Sequence, residues 1–161
     1  MREEAKTRHD YGKADIICDV IGGVCLLVMF LLVAVYWKQL PEQIPIHYGL
    51  DGQPDAWGGR GGALFLPLLG LLVFALLTGA RFLPAGMYNF PVAVTDENRE
   101  RLLQLGRELL SVLKCCILIS LVPGTVCQVR GQALPPWYPA AMMLLISAAL
   151  VFYIVRMVRN K

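Results

Sequence analysis

Four long apolar runs divide the chain, and each contains few charged residues. Each run spans about twenty residues, which is the length that an α-helix needs to cross the hydrocarbon core of a bilayer. The predicted fold class is therefore an all-α integral membrane protein that forms one domain over residues 1–161. The four predicted transmembrane helices lie at residues 14–37, 63–82, 109–129 and 137–155.

The polar segment between the first two runs, residues 38–62, is rich in Pro and Gly. Pro41 and Pro45 restrict its backbone to extended or turn geometry. The pairs Asp51-Gly52 and Gly58-Gly59 favour turns that need positive φ. We expect this segment to fold as a compact, structured loop on the ends of the helices. The other polar segments are two tails and two connections, at residues 1–13, 83–108, 130–136 and 156–161.

A further helix is predicted within residues 83–108. Asn89-Phe90-Pro91 is typical of a turn, and Thr95-Asp96-Glu97 is typical of a helix start with acids in the first turn. The leucines that follow form a broad apolar stripe, and most arginines lie off it. This pattern predicts a basic amphipathic helix that contacts anionic lipid and continues into the third span. Pro123-Gly124 predicts a kink or an early end of that span.

The first span begins with two aspartates, Asp15 and Asp19, one helical turn apart. Asp15 suits a helix start, because a carboxylate there interacts favourably with the helix dipole. Two interpretations of Asp19 remain open. It is either an interfacial carboxylate in the first turn, or an intramembrane acid that faces the bundle interior and pairs with Lys114.

The composition and the placement of charge agree with a membrane protein. Hydrophobic residues make up 57% of the chain and charged residues 17%, against roughly 25% charged in soluble domains. No basic stripe with interleaved aromatics is present, so we predict no nucleic-acid partner. Of 15 Lys and Arg, twelve lie in the tails and around the second connection, and three lie in the other two loops. This asymmetry predicts cytosolic termini (N-in, C-in) and an extracytoplasmic position for residues 38–62.

The outer loop holds the chemically capable side chains His47, Asp51 and Asp55. Three roles remain open for them: support of the loop's own fold, a binding surface for a peptide or lipid headgroup, and a metal site. They are weak metal candidates, because one imidazole and two carboxylates supply three ligands at a spacing that matches no metal motif. The sequence lacks the motifs of serine hydrolases, zinc proteases and phosphate-binding loops, so no catalytic residue and no cofactor is predicted.

The loop also resembles a known family. The matching residues are Leu40, Pro41, Ile44, Pro45, His47, Tyr48, Gly52, Pro54, Asp55, Trp57 and Gly58. On these positions the chain is similar to bacterial membrane proteins of the domain of unknown function 1648, which also forms the N-terminal part of SdpI-type immunity proteins. Gly49 stands where that family usually has Asn. The resemblance covers residues 36–129 and includes the family's cytosolic segment at Asn89, Phe90, Pro91, Val92, Thr95, Asn98, Arg101, Gly106 and Arg107.

The resemblance implies a multi-pass protein of the bacterial plasma membrane with an immunity- or receptor-like role. Its outer loop then binds a secreted peptide or an envelope ligand, and its cytosolic segment contacts a cytosolic or membrane protein. The ligand-binding or loop-organising residues implied by the resemblance are Pro41, Pro45, His47, Tyr48, Gly52, Pro54, Asp55, Trp57 and Gly58.

Three functions follow as hypotheses. The first is a non-enzymatic protein of the lipid bilayer whose outer loop binds a peptide or envelope ligand. The second is a structural or assembly subunit with the loop as a folded cap, in which Gly22-Gly23, Gly70 and Gly79 allow close helix contacts. The third is a metal-dependent membrane enzyme that uses the outer-loop histidine and aspartates.

Overall fold

A computed structural model of the protein describes residues 12–159. Short 3-10 turns lie between some of its regular elements, at Trp37–Gln39, Arg60–Leu64 and Ala85–Met87. The regular elements are four helices and two strands: α1 (Lys13–Tyr36), β1 (Gln43–Tyr48), β2 (Pro54–Gly59), α2 (Phe65–Ala80), α3 (Arg99–Arg130) and α4 (Tyr138–Arg159).

The prediction of four spans is confirmed in its coarse form. Within residues 12–159, four helical segments are long and apolar enough to cross a membrane: Lys13–Gln39, Arg60–Ala80, Arg99–Arg130 and Tyr138–Arg159. The second segment reaches this length because the 3-10 turn at Arg60–Leu64 leads directly into α2. The amphipathic helix and the third span are one continuous helix, α3, as predicted. Which side of the membrane each loop faces stays a prediction. Of the two predicted tails, residues 1–11 and 160–161 lie outside the described residues.

The all-α prediction needs one correction, because β1 and β2 pair as an antiparallel β hairpin. The Asp51-Gly52 turn is confirmed, and Gly52 has a φ of 77°. The prediction of a turn at Gly58-Gly59 is wrong, because both residues lie in β2 and pair with β1, so their backbone is extended. The strands were not predicted because of Pro45. A proline cannot donate a ladder hydrogen bond, so its presence usually argues against a strand.

α3 is the central helix, and the other three helices all pack against it. Near mid-bundle, Leu26 and Met29 of α1 pack on Leu118 of α3. Gly22 and Gly70 permit this packing, since a Cβ at either position would lie 2.9 Å from a side-chain carbon of Leu118 or Met29 respectively. The predicted close contacts are therefore confirmed at these two glycines. Gly23 and Gly79 make no such contact within the described bundle, since a Cβ there would meet nothing within 4 Å, and close contacts of these two glycines with a partner helix stay a prediction.

α4 packs on α3 through a second apolar cluster, in which Leu102 and Leu105 contact Tyr153 and Met157. These residues lie near the start of α3 and the end of α4, so the two helices run antiparallel. We call the end of the bundle that holds β1 and β2 the hairpin end, and the other the opposite end. The opposite end contains the start of α1 and the end of α4.

Pro123 does not end α3, so that part of the prediction is wrong; the helix continues to Arg130. A proline inside a helix removes one backbone hydrogen bond and disturbs the carbonyls of the preceding turn. The hydroxyl of Tyr138 donates to one carbonyl of that turn, at Ser120, over 2.8 Å. Such side-chain donors let a membrane helix tolerate an internal proline.

The start of α3 differs slightly from the prediction. The N-cap residue is Asn98, and the helix begins at Arg99, just after the predicted start at Thr95-Asp96-Glu97. Thr95 and Asn98 exchange hydrogen bonds: Thr95 N–H donates to Asn98 Oδ1 over 2.8 Å, and Asn98 N–H donates to Thr95 Oγ1 over 3.3 Å. This reciprocal pair closes the turn that leads into the helix.

Candidate functional site

The inner side of the hairpin is anchored on the bundle. Leu40 and Ile44 are buried in an apolar cluster with Val33 of α1 and Val129 of α3. Close by, the side-chain amide of Gln128 donates to the carbonyl of Gly62 over 3.1 Å. The hairpin therefore has a fixed position on the helix ends, which gives its outer side chains a rigid support.

The tip of the hairpin is anchored on the connection between α3 and α4. The amide of Leu134 donates to the carbonyl of Gly52 over 2.9 Å, and a Cβ at Gly52 would lie 2.5 Å from the Leu134 oxygen. Tyr48 donates its hydroxyl to the carbonyl of Gln132 over 3.2 Å. Burial of the phenol raises the pKa of Tyr48 to about 12. Both Tyr48 and Gly52, which are among the residues that match the family pattern, therefore have a structural role at the tip of the hairpin.

The outer side of the hairpin presents a pair of chemically capable side chains. His47 Nδ1 lies 2.6 Å from Asp55 Oδ1, across the two strands. The side chains are 70% and 51% exposed. Because a carboxylate only accepts hydrogen bonds, Nδ1 carries the hydrogen. The other ring nitrogen, Nε2, has no hydrogen-bond partner within residues 12–159 and is available to a ligand.

Asp51 does not complete a three-ligand metal site with this pair. Its Oδ1 instead accepts a hydrogen bond from the backbone of Gln53 over 3.0 Å, which stabilises the turn. Within the described part of the chain, no group of three His, Cys, Asp or Glu side chains is placed to hold a metal ion. The structure thus brings together His47 and Asp55 and gives Asp51 a turn-forming role.

The remaining family positions shape the hairpin. Pro45 pairs with Trp57, and Tyr48 pairs with Pro54. Gly58 leaves room for Ile46, since a Cβ there would lie 3.0 Å from an Ile46 methyl carbon. Pro41 is exposed just before β1. None of these residues except Trp57 adds an exposed, bulky contact group to the outer side.

Gly49, which departs from the family pattern, has a local explanation. A Cβ at Gly49 would lie 2.9 Å from Asp51 Oδ1 and 3.5 Å from Asp55 Oδ2. A side chain here would displace the Asp51 carboxylate from its turn. The absence of a side chain at Gly49 lets the Asp51 and Asp55 carboxylates both lie beside its backbone.

The segment at Asn89 and Pro91, for which the resemblance predicted a cytosolic family role, lies at the opposite end of the bundle, so the structure does not bring it to the hairpin. Tyr88 and Phe90 stack with ring centroids 5.9 Å apart. Asn89 and Pro91 line an apolar groove of about 430 Å³ between this segment, α3 and α4. The close approach of the stacked rings to α3 requires Gly106, where a Cβ would lie 3.2 Å from Tyr88.

The opposite end also contains a largely buried group of charged and hydroxyl side chains that the sequence did not predict as one group. It joins α1, α2 and α3, and we call it the charge cluster. Its members are Asp15, Asp19, Thr78, Arg81, Ser111 and Lys114.

Asp19 contacts both basic side chains of the charge cluster. One of its oxygens accepts from Lys114 and the other accepts from Arg81 over 2.7 Å. The Lys114 ammonium also donates to Thr78 over 2.8 Å and lies 4.7 Å from the centroid of the Phe74 ring. Both basic side chains are fully buried. The structure therefore supports the second interpretation of Asp19, an acid facing the bundle interior and paired with Lys114.

Asp15 extends the same network. Its Oδ1 accepts from the Ser111 hydroxyl over 2.5 Å, and that hydroxyl accepts from Arg81 over 2.8 Å. The other oxygen accepts from the Gly12 amide, so Asp15 also serves the helix start as predicted. Two acids balance two bases, so the cluster is electrically neutral. It links three helices through charge-assisted hydrogen bonds in an apolar surrounding.

Part of the charge cluster could be read from the sequence, and part could not. Asp19 and Lys114 are charges inside apolar runs, which signals a partner in the bundle. Arg81 gave no such signal, because it ends an apolar run, where an arginine usually lies at the membrane interface. Its guanidinium turns inward to the two aspartates.

Comparison with known proteins adds a family match on the hairpin. Residues 24–71 match the family model described as domain of unknown function (DUF1648). The matched segment comprises the second half of α1, the whole hairpin and the first turns of α2, which are the elements that hold His47 and Asp55. The predicted resemblance is confirmed for this part, while that of residues 72–129 and the SdpI-type similarity stay predictions.

A distant relative has a similarly limited match. An uncharacterized protein of Archaeoglobus fulgidus is 34% identical over 76 residues, which are 45% of this chain and 40% of that protein. The match therefore spans about two fifths of the relative's length. No solved structure matches the chain. The DUF1648 segment and the four apolar helices together indicate a multi-pass membrane protein.

Proposed function

We propose that this multi-pass membrane protein is a non-enzymatic, receptor-like protein whose hairpin binds a peptide or an envelope ligand. The proposal places the protein in the bacterial plasma membrane with the hairpin facing outward. The observation that carries it is the exposed pair of His47 and Asp55 on a hairpin whose inner side is buried. A polar pair that is oriented by its own hydrogen bond and mounted on rigid strands is suited to recognition.

The geometry gives the pair a definite recognition chemistry. The Asp55 carboxylate orients the imidazole, so that Nε2 points away from that carboxylate and can contact a ligand. The second oxygen of Asp55 lies beside Gly49 and near the Asp51 carboxylate, which gives this side of the hairpin an acidic character. Trp57 is 53% exposed on the same strand as Asp55 and adds an apolar contact surface. A combination of polar and aromatic side chains is typical of binding surfaces.

A phage-displayed library of linear peptides tests the proposal. The library is selected on the wild-type protein in lipid nanodiscs, and enriched peptides are measured on His47→Ala and Asp55→Ala. We expect enriched peptides whose affinity falls about tenfold or more in both variants, because truncating a central contact costs about 1.4 kcal/mol or more. Glu42→Ala is the matched control, since Glu42 is an exposed acid just before β1. No enrichment, or equal binding to all variants, contradicts the proposal.

A second candidate function is a structural or assembly subunit with the hairpin as a cap. It is favoured by the backbone contact between Gly52 and Leu134, which fastens the hairpin to the connection between α3 and α4. Under this alternative, variants of the exposed pair leave all binding unchanged, and only variants of the inner contacts lower stability. The same binding experiment therefore separates the two functions.

A further inference from the structure

The two strands of the hairpin differ in their burial against the bundle. β1 lies against α3 and the 3-10 turn at Arg60–Leu64, and it contains the fully buried Ile44. β2 has no buried residue. Within residues 12–159 the sheet has only these two strands, so no strand pairs with the far edge of β2. An uncovered strand edge presents unpaired amide and carbonyl groups to any chain that approaches in an extended conformation.

The side chains along β2 alternate in a regular way. Asp55, Trp57 and Gly59 are exposed, and the residues between them are partly buried. Because side chains of a strand alternate between its faces, Asp55 and Trp57 project from one face, two residues apart. His47 pairs with Ala56 beside a register shift in the hairpin, and its ring is joined to the Asp55 carboxylate by the hydrogen bond between them. The exposed side chains of β2 therefore offer a polar position at Asp55 and an aromatic position at Trp57.

We propose that the ligand of the hairpin is an extended peptide that adds a third strand at the free edge of β2. This inference rests on the proposed function and names its ligand class. Main-chain hydrogen bonds to the edge supply affinity, and alternate side chains of the peptide supply specificity. A two-stranded ribbon is the minimal sheet, and a third strand satisfies edge groups that are otherwise left to water.

The charges of the hairpin define the peptide further. Asp51 and Asp55 are acidic, and they lie near each other beside Gly49. Opposite charges and aromatic–aliphatic pairs stabilise neighbouring strands. The peptide therefore carries a basic side chain beside Asp55 and an apolar side chain two residues away beside Trp57. An acidic peptide of the same length is disfavoured by like-charge repulsion.

Backbone methylation of the peptide tests strand addition without changing the protein. An enriched peptide from the library selection is synthesised with N-methyl groups on one alternate set of residues or on the other. We expect one set to weaken binding about tenfold or more, because its amides face β2, and the other set to change binding little. Equal loss from both sets, or from neither, overturns strand addition.

Amide hydrogen exchange gives an independent readout. Binding of the unmodified peptide should slow exchange at alternate residues of β2, while exchange in β1 stays unchanged. A peptide that contacts only the His47 and Asp55 side chains slows no alternate set, and this result overturns the inference. Failure here is distinguishable from failure of the proposed function, which predicts only that the peptide binds and that His47→Ala weakens it.

Discussion

His47 Nδ1 lies 2.6 Å from Asp55 Oδ1 although both side chains are largely exposed to solvent. Exposed ion pairs contribute about 0–1 kcal/mol to stability, because water screens the charges and ordering the side chains costs entropy. We therefore expect the pair to add little to the stability of the hairpin, so that its proposed role in binding can be tested separately from folding. This relationship separates binding from stability in the predictions below.

Removing either member of the pair should leave the protein folded. For His47→Ala and Asp55→Ala we expect a loss of less than about 1 kcal/mol in the free energy of unfolding. Chemical unfolding in detergent micelles, followed by circular dichroism, measures this loss. A destabilisation well above that value in either variant would show that the pair mainly supports the hairpin, as the cap function requires.

The tip of the hairpin should respond differently. Gly52→Ala places a methyl group 2.5 Å from the Leu134 oxygen at a φ of 77°. We expect a loss of about 1–3 kcal/mol, because both the strained φ and the backbone contact oppose a side chain. Gly59→Ala is the control, since a Cβ there meets nothing within 4 Å. Equal stability of the two variants in the same unfolding assay would argue against a docked tip.

The sequence predicts much of the frame because its signals are local. The four apolar runs give the helices, and Pro and Gly mark the outer loop. The hairpin was missed since Pro45 argues against a strand, whereas here the tertiary anchoring of Ile44 and Leu40 overrides that local preference. The pairing of His47 with Asp55 depends on strand register, which no periodicity of the loop revealed.

The charge cluster shows the same limit at the other end. Asp19 and Lys114 are 95 residues apart in sequence, and only helix packing brings them together. Hydrophobic periodicity could place each residue on a helix face. It could not decide whether the side chain pairs with a partner inside the bundle or extends to the lipid headgroups. The inward direction of the Arg81 side chain could be predicted only if the position of the end of α2 were already known. Long-range side-chain contacts are therefore the part that the sequence alone left open.

Breaking the charge cluster should be costly. Lys114→Met removes a fully buried partner of Asp19 and leaves excess negative charge between the helices. We expect a loss of about 3 kcal/mol in the free energy of unfolding, as for other broken buried ion pairs. Lys38→Met, at an exposed position near the end of α1, should change it by less than about 0.5 kcal/mol. A similar result for both variants would mean that the cluster does not hold the bundle together.

Tyr48 should make the fold sensitive to alkali. Its pKa is about 12 in the folded protein, against 10.0 for an unperturbed tyrosine. The folded state therefore retains the phenol proton that the unfolded state loses, and the stability from this group falls as pH rises from about 10 to 12. Tyr48→Phe should lose less stability over this range. Unfolding midpoints at several alkaline pH values measure the difference, and parallel curves for both proteins would contradict the prediction.

We expect this four-span membrane protein to present its hairpin on the outer side of the membrane. Cysteine labelling of Gln53→Cys, in a variant whose native cysteines are replaced by alanine, reports the side directly. Position 53 is exposed in the turn beside Gly52, so a membrane-impermeant maleimide should label it in intact cells. Labelling only after the cells are opened would place the hairpin in the cytosol and contradict this orientation.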